Sequence, residues 1–506
     1  MMKKAIIGTV VAALWAAAAM AQMKVNYEVA LMSGTGSGNL APTYISALRG
    51  GVVTQQHYGV LMGWAAREVD ITKRLSWGAG VELCAAATST TDYARFEDGA
   101  WSQHGERPSH VWANQAYVEG KYRGVLLTLG AKHCGSLLLD PQLSSGDLIY
   151  SGNARPMMGV KAGFLRFQNV PLTRGWLQVK GEVGYYKPAD DSWLENHYNY
   201  YNHFLTTGWW LNYKNIYLRS DPGQRFSVTF GMQAACQFGG DNVFYEKGKE
   251  VRRVKQKADA EAFFKALVPG SGGSNAGDNY YEGNHLGSWD LSLDYNLAHR
   301  QWLRAYVQKP WEDGSGIGLR NGWDGLYGVE WHTGTKYVEA AVVEYLDLTN
   351  QSGPIHWAPG DHEGTPITTE ATGADDYYNN YAFNGYQVRG MSIGSPMVPS
   401  SINNFDGYMR FTDTRLRGVH VAVMGAPSSR WSYRLKGSYR AAWGTPFMPR
   451  QKKATCTSLM AQLTYTLTNH WRCSAIVASD RGSLCGDRTG GELTISYKGN
   501  LTFKKK

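Results

Sequence analysis

The sequence predicts an all-β chain: a transmembrane antiparallel β-barrel of about 18 strands, with long extracellular loops and a possible short helix in a loop or plug. Three observations predict it. Apolar and polar residues alternate with a period of two over one segment after another. The chain carries 31 Tyr, 18 Trp and 15 Phe with 59 Gly, yet its mean hydropathy is −0.37. A membrane barrel reconciles these because only every second residue faces lipid, although exported soluble enzymes can be aromatic-rich too. Finally, short and long connections alternate along the chain, as they do when tight turns face the periplasm and long loops face outside.

The N-terminus sets the compartment. Lys3 and Lys4 precede an apolar run from Ala5 to Ala19, followed by Ala19-Met20-Ala21. That order predicts a cleaved signal peptide over residues 1–21, with Gln22 first in the mature chain. About 15 apolar residues are too few to span a bilayer, and no later run reaches about 18, so helical spans are not expected. The expected location is the bacterial outer membrane, with lipid and the barrel-assembly machinery as partners. The formal charge is +9, or +7 once Lys3 and Lys4 leave with the signal. This mild excess does not call for nucleic acid and is compatible with acidic glycans or acidic lipid head groups.

The strands follow in order. "KVNYEVA" (24–30) is the first candidate, within a segment 22–56 that then becomes Gly-rich and irregular around Pro42, as a loop or a plug. The barrel proper is expected over 57–506. About 17 segments lie beyond residue 56, and the even count expected of a bacterial barrel enlists the first strand to make about 18. In "WDLSLDYNL" (289–297), Trp289, Leu291, Leu293 and Tyr295 share one face, against Asp290, Ser292, Asp294 and Asn296. In "WSYRLKGSYR" (431–440), Trp431, Tyr433, Leu435 and Tyr439 oppose Arg434, Lys436 and Arg440. "LTISYKGNLTF" (493–503) repeats the pattern. Glu182 and Asp294 alternate inward beside basic neighbours such as Lys180, which predicts charge pairing in the lumen. Long links are expected at roughly 89–110, 133–157, 187–212, 239–288, 309–323, 348–414, 441–456 and 481–492. A helix is expected over 254–268, where Ala258, Ala262, Phe263, Ala266 and Leu267 recur at helical spacing. It could cap the barrel, lie on lipid or contact glycan. Trp209 and Trp210 read as an aromatic belt. The six cysteines show no metal spacing and read mainly as isolated packed thiols, with Cys456 or Cys473 within sequence reach of Cys485.

One stretch, "YSGNARPMMG" (150–159), interrupts the strand pattern, because Pro156 fixes its own backbone and pushes Ala154 towards an extended conformation. By parity it belongs to a loop or the rim on the outer side. Ser151, Gly152, Asn153, Arg155 and Pro156 form either a tight turn or a loop that shapes the mouth or supports its neighbours, with direct ligand contact by Asn153 and Arg155 as a further reading. Together with "QAYVEGKYRGVLLTLGAKHCG" before it and "VPLTRGWLQVKGEVGYY" after it, this stretch resembles the capsule-assembly Wzi family of outer-membrane proteins. So do "DGLYGVEWHTGTKYVEAAVVEYLDLTNQSGP" (324–354), with Glu344-Tyr345, and "YYNNYAFNGYQVRGMSIGSP" (377–396). The resemblance implies a barrel of about 18 strands and a non-enzymatic surface lectin that holds capsular or extracellular polysaccharide on the cell. The chain departs from the family around 215–219 and 233–240, and ends in three lysines after Phe503.

No nucleophile motif, phosphate loop or zinc pattern occurs, so no catalytic residue, cofactor or metal is expected. Asp375-Asp376, and His356 with His362, read as solvated loop residues rather than ligands. Sugar binding fits the long links better, since sugar C–H faces stack on rings while hydroxyls need polar groups around them. Trp311, Arg320, Trp323, Trp357, Tyr377, Tyr378 and Tyr381 are the expected polysaccharide-binding residues. The competing expectation is a porin-like channel for small or anionic solutes, its lumen biased by Lys180, Arg434, Lys436, Arg440 and Lys498.

Overall fold

The computed structural model describes residues 23–97, 99–199, 203–268, 283–298, 300–353 and 375–503. The signal segment, His356, Trp357 and His362 lie outside the described residues. Eighteen strands form one closed antiparallel sheet. They are β1 (Met23–Ser37), β2 (Tyr58–Arg67), β3 (Leu75–Thr88), β4 (Val111–Tyr122), β5 (Val125–Ala131), β6 (Met158–Phe164), β7 (Leu177–Lys187), β8 (Trp210–Ser220) and β9 (Phe226–Phe238). The second half comprises β10 (Asn284–Asn296), β11 (Trp302–Trp311), β12 (Gly325–His332), β13 (Ala340–Asp347), β14 (Leu416–Gly425), β15 (Trp431–Gly444), β16 (Pro449–Thr466), β17 (Trp471–Arg481) and β18 (Arg488–Phe503). Each strand pairs with the next, and β1 closes the ring by pairing with β18 from Met23↔Phe503 to Ser37↔Thr489. Closure removes the sheet edge that a bilayer could not satisfy.

Alternation decides which residues meet lipid. On β18, Leu493, Ile495, Leu501 and Phe503 are exposed on the outside; on β10, Asp290 and Ser292 are fully buried inside. Tyr122, Trp176, Trp331, Trp431 and Trp471 stand exposed near the short-turn end, forming an aromatic girdle. Inside, Lys161 pairs with Glu182 at 3.1 Å and Arg304 with Asp294 at 2.6 Å. Lumen charge pairing thus holds for both carboxylates, through Lys161 and Arg304 rather than Lys180.

The connections alternate in length around most of the ring. Two expected long links are instead tight: 445–448 joins β15 to β16, and 482–487 joins β17 to β18. Pairing simply continues to Ala442↔Ala454 and Ser479↔Thr489. Gly444, with φ +85°, makes the first turn; a Cβ there would meet the Met448 carbonyl at 2.3 Å. The glycines that mimic a loop at 490–491 lie within β18, where Gly490 leaves room for Pro42 inside the lumen.

Among the described residues four short α-helices decorate the barrel: α1 (Thr43–Ser46), α2 (Asp191–His197), α3 (Ala260–Leu267) and α4 (Gly314–Ile317). α3 is shorter than the expected 254–268. Val254 and Gln256 are strand residues, paired with Asn242 and Gly240, and Asp259 caps the helix by accepting from Ala262 N at 3.0 Å. Its Phe263 packs on Tyr185, Trp210 and Phe238. Phe238 shares parity with the outward Phe226 and Phe230, so α3 lies on the outside of the wall with Phe264 exposed. Trp210 is therefore covered by a helix, and Trp209 is buried in the main core; neither stands in a belt.

Candidate functional site: a filled lumen and its loop rim

The main apolar cluster lies within the ring and comes mostly from the long connections. Leu138, Leu143, Leu148, Ile149 and Tyr150 from 132–157 pack with Tyr377, Tyr378, Phe383, Tyr386 and Phe411 from the link between β13 and β14. A second cluster joins Ile45 and Val53 from 38–57 to Met460 and Ile476 on the wall. Three inserts thus fold back into the lumen.

The stretch 151–155 binds these inserts to one another. Ser151 N donates to Ile393 O at 3.0 Å and its Oγ donates to Gly394 O at 2.7 Å. Asn153 Nδ2 donates to Ser392 O at 3.1 Å, while its Oδ1 accepts from Leu48 N at 3.1 Å. Gly50 N and Gly51 N donate to the carbonyls of Gly152 and Asn153. Gly152 has φ +76°, and a Cβ there would meet Cys134 O at 2.5 Å. Pro156 ends this junction just before β6, and the Arg155 guanidinium lies 4.8 Å from the Trp112 ring centroid. The motif supports neighbouring loops, as one of the sequence readings has it, but from inside the lumen rather than from the rim.

Buried carboxylates fasten the inserts to the wall. Glu344 on β13 accepts from Ser144 Oγ and Ser145 N, each at 2.7 Å, and from Tyr306 OH at 2.5 Å. Asp147 accepts from Gln308 Nε2 at 2.7 Å and from Gln233 Nε2 at 3.0 Å. His420 Nε2 lies 2.7 Å from Leu143 O and its Nδ1 lies 2.7 Å from Tyr44 OH. Because a carbonyl only accepts, the Nε2–H donates and Nδ1 accepts from the tyrosine, so one ring ties two inserts to β14. Sequence reasoning passed over Gln233, Gln308 and His420; the available signal was neutral polar side chains at inward positions of mid-barrel strands.

The expected glycan residues divide into two groups. Tyr377 is fully buried, donating to Asp324 Oδ2 at 3.1 Å and accepting from Asn321 Nδ2 at 2.9 Å. Tyr378 is buried and donates to Leu148 O at 2.8 Å. Trp311 is buried against Gly287. Tyr377 and Tyr378 hold the fill together, whereas Trp311, at the end of β11, packs against Gly287 and Gly316 apart from that cluster; all three rings are buried. Trp323 is 80% exposed, Arg320 is exposed beside it on 312–324, and Tyr381 is 42% exposed. Of the expected residues that the structure describes, this second group is the one left exposed.

Next to it lies a buried acidic junction. Burial pushes the Asp375 carboxyl up to about 7 and those of Asp376 and Asp324 up to about 6. Burial, then the neighbouring Asp375 and Asp376, hold Glu312 well above the usual carboxylate range. Asp375 bonds to Ser352, whereas Asp376 accepts from Thr414 and Asn379. The adjacent pair is thus split between different hydrogen-bond sets.

Beneath the inserts, towards the short-turn end, a cavity of about 300 Å³ separates α1 and the tip 141–145 from the wall of β1, β2 and β15–β18. Arg434, Lys436, Arg472, Arg49, Glu28 and Glu492 line it.

This architecture, a closed ring of 18 strands with an apolar exterior, is that of outer-membrane β-barrels. No family model and no curated protein sequence matches the chain. Among solved structures it is similar to Wzi, an outer-membrane protein involved in group 1 capsule assembly in Escherichia coli and described as a carbohydrate-binding β-barrel. The identity is 13%, with 95% of this chain and 85% of that one covered and a TM-score of 0.54. Acinetobacter baumannii OccAB4 aligns at 10% identity, over 95% and 99% of the chains, with a TM-score of 0.47. Pseudomonas aeruginosa OprD aligns at 7%, over 95% and 94%, with a TM-score of 0.45.

Proposed function

We propose that the chain is an outer-membrane anchor that retains capsular or extracellular polysaccharide at the cell surface, by binding and without catalysis. The observation that carries this reading is the filled lumen: apolar and hydrogen-bonded inserts occupy the space an open pore would need. Trp323 and Arg320 on the outer loop offer the ring face and the cation that an acidic glycan requires. The fold likeness to a carbohydrate-binding barrel agrees with it. The test is Trp323→Ala with Arg320→Ala in the encapsulated cell. Polysaccharide is expected to pass into the medium while heat-modifiable barrel persists in the outer membrane; full retention sinks the reading.

A porin-like channel for small or anionic solutes is favoured by one observation, the cations Arg434 and Lys436 facing the lumen cavity. Planar-bilayer recording separates the two. Silence supports the anchor, and steady open-channel current supports the channel.

A further inference from the structure

We infer that the cavity beneath the inserts is a binding site for a small organic anion, of about one sugar ring and bearing a carboxylate. The site lies at the opposite end of the lumen from the loop surface assigned to polysaccharide, and stands whether or not that assignment holds.

The reason is an imbalance of charge. Arg49 and Glu492 neutralise one another at 2.7 Å. Lys436 is buried, yet among the described residues its ammonium donates only to the Ser144 carbonyl, at 3.3 Å, and otherwise lies 6.0 Å from the Tyr44 ring centroid. Arg434 donates to neutral acceptors, Gln462 Oε1 at 2.5 Å and the Gln142 carbonyl at 3.3 Å. Among the described residues neither cation has an ion-pair partner. The carboxylates that act on Lys436 from farther off are Glu344 and Asp140. Glu344 is occupied by Ser144, Ser145 and Tyr306, and one Asp140 oxygen accepts from Gln142 N. Arg472 adds a third cation to the cavity, against Glu28 alone. A buried charge without a counter-charge is costly; an anion in the cavity relieves that cost for Lys436 and gives the half-buried Arg434 a counter-charge.

Size and lining narrow the ligand. A cavity of about 300 Å³ is at the lower end of small-molecule sites and too roomy for a bare inorganic anion. Its walls also include Met32, Met460 and Ile476, which suit a carbon skeleton. The cations gather on one side, on β15 and β17, so the ligand's charge is directed there.

Calorimetric titration of the full-length barrel in detergent, with glucuronate and with glucose as probes, tests the inference. Glucuronate is expected to bind at least about tenfold more tightly than the neutral sugar of equal ring size, about 1.4 kcal/mol. Lys436→Met with Arg434→Gln should erase that preference, and Lys436→Arg should keep it. Should the double variant fail to give heat-modifiable barrel, Arg472→Gln, on an exposed side chain, provides the same test with an expected loss of several-fold. Equal binding of the two sugars, no binding of either, or an unchanged preference in the cation variants would overturn the proposal.

Discussion

Asn153 holds the backbone N–H of Leu48 on its Oδ1 at 3.1 Å, joining two segments that are 105 residues apart in the chain. The same side chain holds Ser392 O with its Nδ2, so one amide satisfies the backbone of two other inserts inside a core where water cannot substitute. Asn153→Ala strips the partner from a half-buried N–H and a buried carbonyl, a loss of about 2–4 kcal/mol at that junction. Because the wall strands pair independently of it, the expected result is local. Hydrogen exchange at 48–51 and 391–394 should rise by at least tenfold while that of β15–β18 stays unchanged. Unaltered protection would show that the junction is held elsewhere.

Glu344 performs the corresponding task between insert and wall. Its carboxylate gathers Ser144 Oγ, Ser145 N and Tyr306 OH, so the tip of 132–157 is fixed to β13 and β11. Glu344→Ala leaves those three donors unpaired at about 1–3 kcal/mol each and should release the tip towards the cavity beneath it. Single-channel recording is expected to show brief openings in the variant where the parent is silent. Continued silence would mean that the apolar cluster alone keeps the lumen closed.

Much of the wall was legible in the sequence because a strand in a membrane ring obeys one rule, lipid on one side and lumen on the other. Leu493, Ile495, Arg434 and Lys436 each point where alternation places them. The even-strand rule likewise turned "KVNYEVA" into β1. The inserts were less legible. Parity says on which side of the membrane a link emerges and is silent on whether it returns into the lumen. A clue was present in Leu137, Leu138, Leu139, Leu143, Leu148 and Ile149, apolar residues that a water-facing loop has no reason to carry. Composition also mistook the glycines at 490–491 for a loop, because a strand packed against a lumen helix needs the same small residue that a loop does, whereas Gly444 does make a turn, only a tighter one than expected. Nor could local composition separate Tyr377 and Tyr378, buried as struts, from Trp323, left in the open.

The acidic junction predicts a dependence on pH. Burial raises the Asp375 carboxyl to about 7 and those of Asp376 and Asp324 to about 6, against about 3.9 in an unfolded chain. Between about pH 4 and 7 the folded loops therefore hold protons that the unfolded segment has released. Stability contributed by these groups is fully present below the lower value and is lost as pH rises through the higher one. Exchange at 350–353 and 375–379, corrected for its intrinsic pH dependence, should be slower at pH 5 than at pH 8. Asp375→Asn should flatten that difference, and greater protection at pH 8 would contradict the assignment.

Tyr377 and Trp323 make the sharpest contrast between support and contact. Tyr377→Phe keeps the ring and removes the hydroxyl that donates to Asp324 and accepts from Asn321. A loss of about 1–2 kcal/mol is expected in the stability of the junction between the two loops, with polysaccharide retention close to that of the parent. Trp323→Ala removes an 80% exposed ring that contributes little to packing, so thermal unfolding should stay within about 0.5 kcal/mol of the parent. If the ring is a binding anchor, its loss should cost about 2 kcal/mol in affinity for purified polysaccharide, some 30-fold. The two variants thus exchange effects, one seen in unfolding and the other in glycan titration. A Tyr377→Phe protein that folds as the parent does but releases its polysaccharide would reverse the roles given to these two rings.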